Sequence, residues 1–523
     1  MEEFLTVEAL VIILVLVATL VAIAVRRIRL PYTVSLVLVG LFISLQRPID
    51  VEVTPELILA IFVPPLIFEA AFHLDFRLLR SNLAPIIMLA VPGVILTTLF
   101  VGGMVALGTG LSFATAAVFG ALIAATDPVA VVALFRALGV PRQLAAAVEG
   151  ESLFNDGTAI VVFNIALTVA LTGAFDPLGG LFDFLRVALG GMATGVALGW
   201  LTAQLMARVD DRLIVSTLTT LLAYSSYLVA ERFHVSGVLA VVMAGLISGN
   251  VGLASASPTS KIMLFNLWDY LGFLANSLVF LLIGLDVDLS RLWTNLIPIA
   301  VAVIAVLLSR GAVVYGMPLI ARLFRRRPLL PINWRHILFW GGLRGAISLA
   351  LVLSVPTTLP ERDLLESMTF GVLLFTLLGQ GTTIQFLLDR LGLSQQPPHR
   401  VAREKRLGQY FAGRAGLRRL EHLHREGLLL DEMWDGLRVD YLRDQKHVME
   451  HMIQLFHDHA ELERELLIQA RREALQAERG ALGDALRRGL LSEHVYEELL
   501  TDIDYRLEAL DLIQAARVDV EID

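Results

Sequence analysis

Long apolar segments fill the first three quarters of this sequence and limit the folds that it can adopt. A helix needs about 20 mostly apolar residues to cross a bilayer, and thirteen segments approach that length and composition. They lie at residues 6–25, 32–46, 54–72, 82–108, 112–136, 143–173, 180–207, 212–231, 235–252, 262–287, 292–323, 334–356 and 364–392. The second is short and the fifth is interrupted. Lipid offers no hydrogen-bond partner, so the backbone N–H and C=O groups of each span must pair within the protein, as they do in a helix. The pattern therefore predicts an all-α polytopic membrane protein.

The charged residues divide the chain into two parts. Only 18% of the residues are charged, against about 25% in a typical soluble domain, and the end of the chain is rich in Arg, Glu, Asp and His. We therefore predict a transmembrane domain at 1–395 and a cytoplasmic helical domain at 396–523. Eight of the eleven histidines lie in the second domain: His399, His422, His424, His447, His451, His457, His459 and His494. Histidine titrates near neutrality, so a regulatory, pH-responsive domain is an alternative to an ordinary solvated one.

Basic residues alternate between the loops and predict the orientation in the membrane. Every second loop after the first helix is basic, with Arg26, Arg27, Arg29, Arg77, Arg80, Arg136, Arg142, Arg208, Arg212, Lys261, Arg322, Arg325, Arg326, Arg327 and Arg390. The other loops hold at most one arginine each: Arg47, Arg186, Arg232, Arg291 or Arg362. By the positive-inside rule, the N-terminus is expected outside the cell membrane and the C-terminus in the cytoplasm. No small-residue cleavage site follows residues 6–25, so we interpret them as a first transmembrane helix.

Asp127 is one of few ionisable residues inside an apolar segment, where each costs roughly 2.5–3.5 kcal/mol. It precedes Pro128, which has no N–H and so removes the helix hydrogen bond to Ala124. Unwound backbone at bilayer depth occurs only where it lines a cavity or is buried in protein. A broken helix beside a carboxylate is typical of a cation site. A proline kink with a capping aspartate is the structural alternative.

Asp156 lies in the most polar stretch of any apolar segment. Ser152 and Asp156 are four residues apart and share a helix face, where a hydroxyl and a carboxylate could bind one ion. Glu151 and Asn155 form a second such pair on the neighbouring face. Packing alone does not explain four polar residues within a run of six, and we predict a binding site here.

Three further charged residues lie within the apolar segments. Glu69 follows Pro64 and Pro65, which disrupt the third segment, and is either a ligand or an interfacial helix end. Arg344 and Arg310 are buried cations, and a buried arginine needs a partner. We expect Glu151 to pair with Arg344 as a structural ion pair.

Nucleotide and thiolate chemistry are not indicated. The run Gly341-Gly342-Leu343-Arg344-Gly345 lies in an apolar segment without a preceding strand, so it predicts a helix break and not a phosphate loop. The chain has no cysteine and therefore no disulfide or thiolate metal site. We expect no enzymatic activity, no cofactor and no nucleic-acid partner.

Six sequence stretches together resemble the sodium/proton exchanger family, and in particular its NhaP branch and plant salt-tolerance relatives. They are Ala125-Thr126-Asp127-Pro128-Val129-Ala130, Gly150-Glu151-Ser152-Leu153-Phe154-Asn155-Asp156-Gly157, Val235-Ser236-Gly237-Val238-Leu239-Ala240, Asn276-Ser277-Leu278-Val279-Phe280, Trp340-Gly341-Gly342-Leu343-Arg344-Gly345-Ala346 and the Gln380-Gly381-Thr382-Thr383 turn. The resemblance covers about residues 6–395.

The resemblance implies thirteen helices in two inverted six-helix repeats, and a homodimer. The interrupted fifth and twelfth spans would cross at mid-membrane, and the breaks at Pro128 and at 341–345 fall at corresponding places in two halves. The family's ligands for Na⁺ fall on Asp156, Asp127, Ser152, Thr126 through its backbone oxygen, and Glu69. Its structural ion pair falls on Glu151 and Arg344, with Asn155 beside them.

The resemblance further implies exchange of Na⁺ or Li⁺ for H⁺. A partly dry carboxylate at Asp156 would hold either a proton or a cation, and this competition couples the two fluxes. Asn155, unlike a second acid, carries no titratable proton, so we expect an electroneutral one-for-one cycle. A K⁺/H⁺ antiporter of the same design is the nearest alternative, because oxygen ligands alone do not fix the ion. A cation channel would need rings of groups along a continuous pore, and a pump would need a nucleotide motif.

Overall fold

Helices account for all the regular structure in the part of the chain that we can describe. The computed structural model describes residues 2–25, 31–46, 58–174, 176–209, 211–324, 330–393 and 398–518. Each apolar segment coincides there with one helix or with consecutive helices. The loop residues Arg26, Arg27, Arg29, Arg47 and Arg325 to Arg327, and the start of the third segment, lie outside the described residues.

The described residues in the first half of the apolar region form ten α-helices. They are α1 Glu2–Val25, α2 Tyr32–Gln46, α3 Val63–His73, α4 Phe76–Ser81, α5 Leu83–Ala90, α6 Pro92–Thr109, α7 Phe113–Leu122, α8 Val129–Leu138, α9 Arg142–Thr172 and α10 Pro177–Met206.

The second half of the apolar region follows with ten more among the described residues. They are α11 Arg212–Arg232, α12 Gly237–Ile247, α13 Leu253–Ser255, α14 Pro258–Asp286, α15 Leu289–Thr294, α16 Leu296–Phe324, α17 Ile332–Trp340, α18 Ala346–Leu353, α19 Arg362–Leu374 and α20 Gly381–Arg390.

Seven described helical stretches are long and apolar enough to cross a membrane, and five more are apolar but shorter. The many apolar helices confirm the predicted all-α membrane fold. The number of spans and the inverted repeats stay predictions.

π-Helical turns interrupt three of these segments. One, Ile58–Phe62, runs directly into α3, whose first turn holds Pro64 and Pro65; the missing proline N–H groups break the regular ladder there. The others are Ser248–Gly252 and Phe375–Gln380. The prediction of a turn at 380–383 is wrong, because Gln380 ends a π-helical turn and Gly381 begins α20.

Small residues allow two helices, α10 and α12, to pack closely. Gly191, Gly195 and Gly199 recur every fourth residue on the face of α10 that packs against α12. A β-carbon at Gly195 would lie 2.1 Å from the carbonyl oxygen of Ala240. Inside lipid, the burial of apolar surface contributes little to helix association, so close backbone contacts of this kind hold membrane helices together.

The chain separates into two compact units, at 1–395 and 396–523. The second unit contains α21 Pro398–Arg425, α22 Asp431–Asp458, α23 Ala460–Arg487 and α24 Glu493–Val518. Within it α21 packs on α22 and α23 packs on α24. Leu475 and Ile503 form a small buried core between the last two helices.

Candidate cation-binding site

Two unwound segments meet at the centre of the first unit. Residues 123–128 separate α7 from α8, and residues 341–345 separate α17 from α18. The backbone N–H of Asp127 donates to the carbonyl of Leu343 over 2.8 Å. Both predicted helix breaks are therefore present, and a backbone hydrogen bond joins them.

Side chains bind the carbonyl oxygens that the first break leaves without helical partners. Asn155 Nδ2 donates to Ala124 O over 2.9 Å, and the Ser152 hydroxyl donates to Thr126 O. Arg344 Nη1 donates to the oxygens of Ala124 and Ala125, each over 2.9 Å. Buried carbonyls need such partners, so α9 and the second break fix the shape of the first.

The two aspartates are held differently. Asp127 Oδ1 accepts a hydrogen bond from the N–H of Val129 over 2.9 Å, at the start of α8. Asp156 is 9% exposed, and its Oδ1 is buried with no hydrogen-bond partner among the described residues. An unpaired buried carboxylate oxygen is costly and is the group that a proton or a cation would satisfy.

A cavity of about 60 Å³ lies between the aspartates. Four of the five predicted ligands line it, namely Thr126, Asp127, Ser152 and Asp156. A buried water needs roughly 10–15 Å³, so the cavity has room for a small ion together with a few waters. Its walls from α3 and α18 are largely apolar, with Val63, Leu66, Ile67, Ala346 and Ile347.

Glu69, the fifth predicted ligand, lines a neighbouring cavity. That cavity, of about 230 Å³, is also bordered by Glu149 and Asp269. It shares Ala70, Pro128, Val129 and Asn276 with the smaller one. Glu69 therefore lies beside the space that Asp156 faces and does not line it.

The predicted Glu151–Arg344 ion pair is wrong. Glu151 instead pairs with Arg310, whose Nη1 and Nη2 lie 2.7 and 2.9 Å from the two carboxylate oxygens. Arg310 also donates to the carbonyl of Leu338 through Nε and Nη2. Arg344 is left to bind the unwound backbone, because α16 brings Arg310 to the carboxylate and satisfies both of its oxygens.

Two supporting contacts were not expected from the sequence. Ser348 donates to the carbonyl of Leu122 over 2.9 Å, which ties α18 to the end of α7. Thr376 Oγ1 accepts from the backbone N–H of Arg344 over 3.3 Å. Isolated hydroxyl residues in apolar helices give no sequence signal for such long-range contacts.

The donor set defines the chemistry of the site. Carboxylate, hydroxyl and carbonyl oxygens surround the cavity, and no nitrogen or sulfur ligand is among its described lining residues. Oxygen donors of this kind suit hard cations. Unwound helix segments supply such oxygens in many secondary transporters.

Comparisons with known proteins identify the family of this chain. The family described as "Sodium/hydrogen exchanger, transmembrane" matches residues 12–390. The Na(+)/H(+) antiporter NhaS2 of Synechocystis is 34% identical, over 95% of this chain and 93% of its own. ApNhaP of Aphanothece halophytica is 39% identical over 76% of each chain, and NhaP of Pseudomonas aeruginosa is 36% identical over 71% of this chain and 93% of its own.

A solved structure shares the fold. The sodium proton antiporter MjNhaP1 of Methanocaldococcus jannaschii superposes with a TM-score of 0.61, over 75% of this chain and 99% of its own. The identity is 21%, so this likeness concerns the fold alone. The matched residues 12–390 and the relatives aligned over most of their length show that this chain belongs to the sodium/hydrogen exchanger family.

Proposed function

We propose that this protein exchanges Na⁺ for H⁺ across a membrane, with both ions competing for Asp156. The observation that carries the proposal is Asp156, which has a buried, unpaired Oδ1 and lines one cavity together with Asp127, Ser152 and Thr126. Relatives that align with most of this chain are named Na(+)/H(+) antiporters, which favours Na⁺ over K⁺ as the exchanged cation.

Competition follows from the charge of the buried carboxylate. A carboxylate removed from water is stable when a proton or a cation neutralises it, and once one of the two has done so, the negative charge that would bind the other is gone. If the cavity switches its opening from one side of the membrane to the other only when an ion is bound, each cycle moves one ion in each direction. No ATP and no cofactor enter this scheme, and we propose no enzymatic reaction.

The proposed Na⁺ ligands are the carboxylates of Asp127 and Asp156, the hydroxyl of Ser152 and the carbonyl of Thr126. The Ser152 hydroxyl donates its hydrogen to Thr126 O, so its lone pairs remain available to an ion. Glu69 lies in the neighbouring cavity, and we assign it to the path by which the cation reaches Asp127. Glu151, Arg310, Arg344 and Asn155 support the unwound backbone and do not bind the ion.

We further propose a homodimer in the cell membrane, with the N-terminus outside and the C-terminal unit in the cytoplasm. The basic residues near the helix ends support this orientation. The second unit, at 396–523, would regulate exchange, because every proposed ligand precedes residue 160.

Reconstituted protein tests the exchange directly. Proteoliposomes carrying an inside-acid pH gradient and a pH-sensitive dye receive Na⁺, Li⁺ or K⁺ in turn. We expect saturable dequenching with Na⁺ and Li⁺ and a much smaller response to K⁺. A response to K⁺ alone would make the protein a K⁺/H⁺ antiporter, and unitary currents in a planar bilayer would make it a channel.

A further inference from the structure

We propose that Glu69, His73 and Asp269 bind a divalent transition-metal ion, with Zn²⁺ as the best fit. One ligand atom from each of the three side chains lies within 4.8 Å of the other two. The cluster joins the end of α3 to the fourth turn of α14, at the edge of the larger cavity. It is separate from Asp127 and Asp156.

The distances suit tetrahedral coordination. His73 Nε2 lies 3.2 Å from Asp269 Oδ1. Bonds of about 2.05 Å to zinc place tetrahedral ligands roughly 3.3 Å apart, so these two atoms already have the spacing of one edge. A carboxylate oxygen of Glu69 lies within 4.8 Å of the other two ligand atoms. Since Oε1 lies 3.5 Å from Nδ1, the other ring nitrogen, the Glu69 side chain must rotate to take the third position.

The histidine is held in the form that a metal needs. His73 Nδ1 lies 2.8 Å from the backbone oxygen of Glu69, which can only accept, so Nδ1 carries the hydrogen. In the neutral ring the lone pair is then on Nε2, the atom that faces Asp269. A carbonyl on the second nitrogen is the usual partner that orients metal-binding histidines. A proton on Nε2 would also fit the 3.2 Å contact with Asp269, and zinc would displace it.

Packing holds the ligands close together. A β-carbon at position 272 would lie 2.9 Å from Cγ of Glu69, so Gly272 lets the glutamate approach α14 one turn from Asp269. The His73 ring packs against Phe265, with centroids 5.2 Å apart. Asp269 is 55% exposed and borders the larger cavity, so an ion in that cavity can reach the cluster.

The ligand set selects the class of metal. One imidazole with two carboxylates favours Zn²⁺, Co²⁺ or Ni²⁺, whereas Mg²⁺ and Ca²⁺ prefer oxygen ligands alone. The chain has no cysteine, so no thiolate competes for these metals.

Calorimetric titration of the purified full-length protein with Zn²⁺ tests the proposal. We expect the substitutions His73→Gln and Asp269→Asn each to weaken one zinc site roughly tenfold or more, a loss that even the outer partners of metal ligands can cause. Because Asp269 is exposed, the Asp269→Asn variant still tests the zinc site if His73→Gln disturbs folding. An excess of Mg²⁺ should leave the zinc titration unchanged.

Zinc could also bind to histidines of the second unit, so a control variant is needed there. His424 Nε2 lies 2.8 Å from Asp431 Oδ1, which makes a histidine–carboxylate pair outside any described three-residue cluster. We expect His424→Gln to leave the site of His73 unchanged. Unaltered zinc binding in both test variants would overturn the proposal, and so would an effect of His73→Gln without one of Asp269→Asn. Since no transport is measured, the result is independent of the proposed exchange.

Discussion

The carboxylate of Asp127 fills the space that a side chain at position 345 would need. A β-carbon on Gly345 would lie 2.1 Å from Asp127 Oδ2 and 2.5 Å from its Cβ. Atoms cannot approach so closely, so the absence of a side chain at Gly345 allows the two unwound segments to cross. The contact involves the backbone of one segment and a proposed ligand on the other.

Gly345→Ala should therefore abolish exchange. The new methyl group must displace Asp127 or separate the segments, and overpacking of this kind costs about 1–3 kcal/mol. Na⁺-driven dequenching measures the rate, and thermal melting in detergent measures the stability. Gly103→Ala is the matched control, since a β-carbon at position 103 meets nothing within 4 Å. Exchange at the wild-type rate in Gly345→Ala would show that the crossing is not needed.

Asp156→Asn should eliminate exchange and leave the fold intact. The amide keeps the shape of the carboxylate but releases no proton and offers no full charge to a cation. Asp211→Asn makes the same chemical change at the start of α11, where Asp211 accepts from the N–H groups of Leu213 and Ile214. Asparagine caps helices equally well, so this control should exchange normally. Sodium-dependent proton flux in Asp156→Asn would refute the site assignment.

The Glu151–Arg310 pair should contribute mainly to stability. Removal of one partner from a buried ion pair costs roughly 3–5 kcal/mol, so Arg310→Met should lower the melting temperature strongly. Glu151→Gln in the same protein should recover part of the loss. The matched cycle of Arg344→Met with Glu151→Gln should show a smaller coupling, because Arg344 binds carbonyls instead. Equal coupling in the two cycles would contradict this assignment.

Removal of residues 396–523 should leave exchange in place and change its pH dependence. The first unit, 1–395, contains all the proposed ligands. The eight histidines of the second unit are the groups most suited to sense pH near neutrality. Dequenching at a series of pH values compares the truncated and full-length proteins. A truncated protein that folds but shows no exchange at any pH would disprove the regulatory role.

Exchange should be electroneutral. Asn155 Nδ2 donates to Ala124 O and Thr126 Oγ1, so its amide supports the break and carries no exchangeable proton. A membrane potential would act on any net charge moved, by about 2.3 kcal/mol per charge per 100 mV. Vesicles clamped with valinomycin at zero, inside-negative and inside-positive potentials should reach the same Na⁺ and H⁺ end point, provided that K⁺ is not exchanged. An end point that shifts with voltage would require more than one proton per cation.

Local chemistry explains which features the sequence could predict. Pro128 removes a helix hydrogen bond in the middle of an apolar segment, and three glycines within residues 341–345 weaken a helix strongly, so both interruptions could be located in advance. The four-residue spacing of Ser152 and Asp156 placed both at one cavity. The partner of Glu151 could not be found in this way, because Arg310 is 159 residues away and two buried arginines were available. The position of Glu69 beside the cavity, and the contact of His73 with Asp269, depend on how α3 packs on α14.

The charges around the site, including the Glu151–Arg310 pair, also bear on whether the protein changes its open side without a bound ion. Asp127, Glu151 and Asp156 carry three formal negative charges, and Arg310 and Arg344 carry two positive ones, so the ion-free site has a formal charge of minus one. One Na⁺ or one H⁺ brings that sum to zero. A net charge within the bilayer costs roughly 2.5–3.5 kcal/mol, so the unloaded site should change sides far less often than either loaded one. Because the protein would rarely change sides without a bound ion, Na⁺ would rarely cross without an exchanged H⁺. The sodium gradient would then not dissipate uselessly.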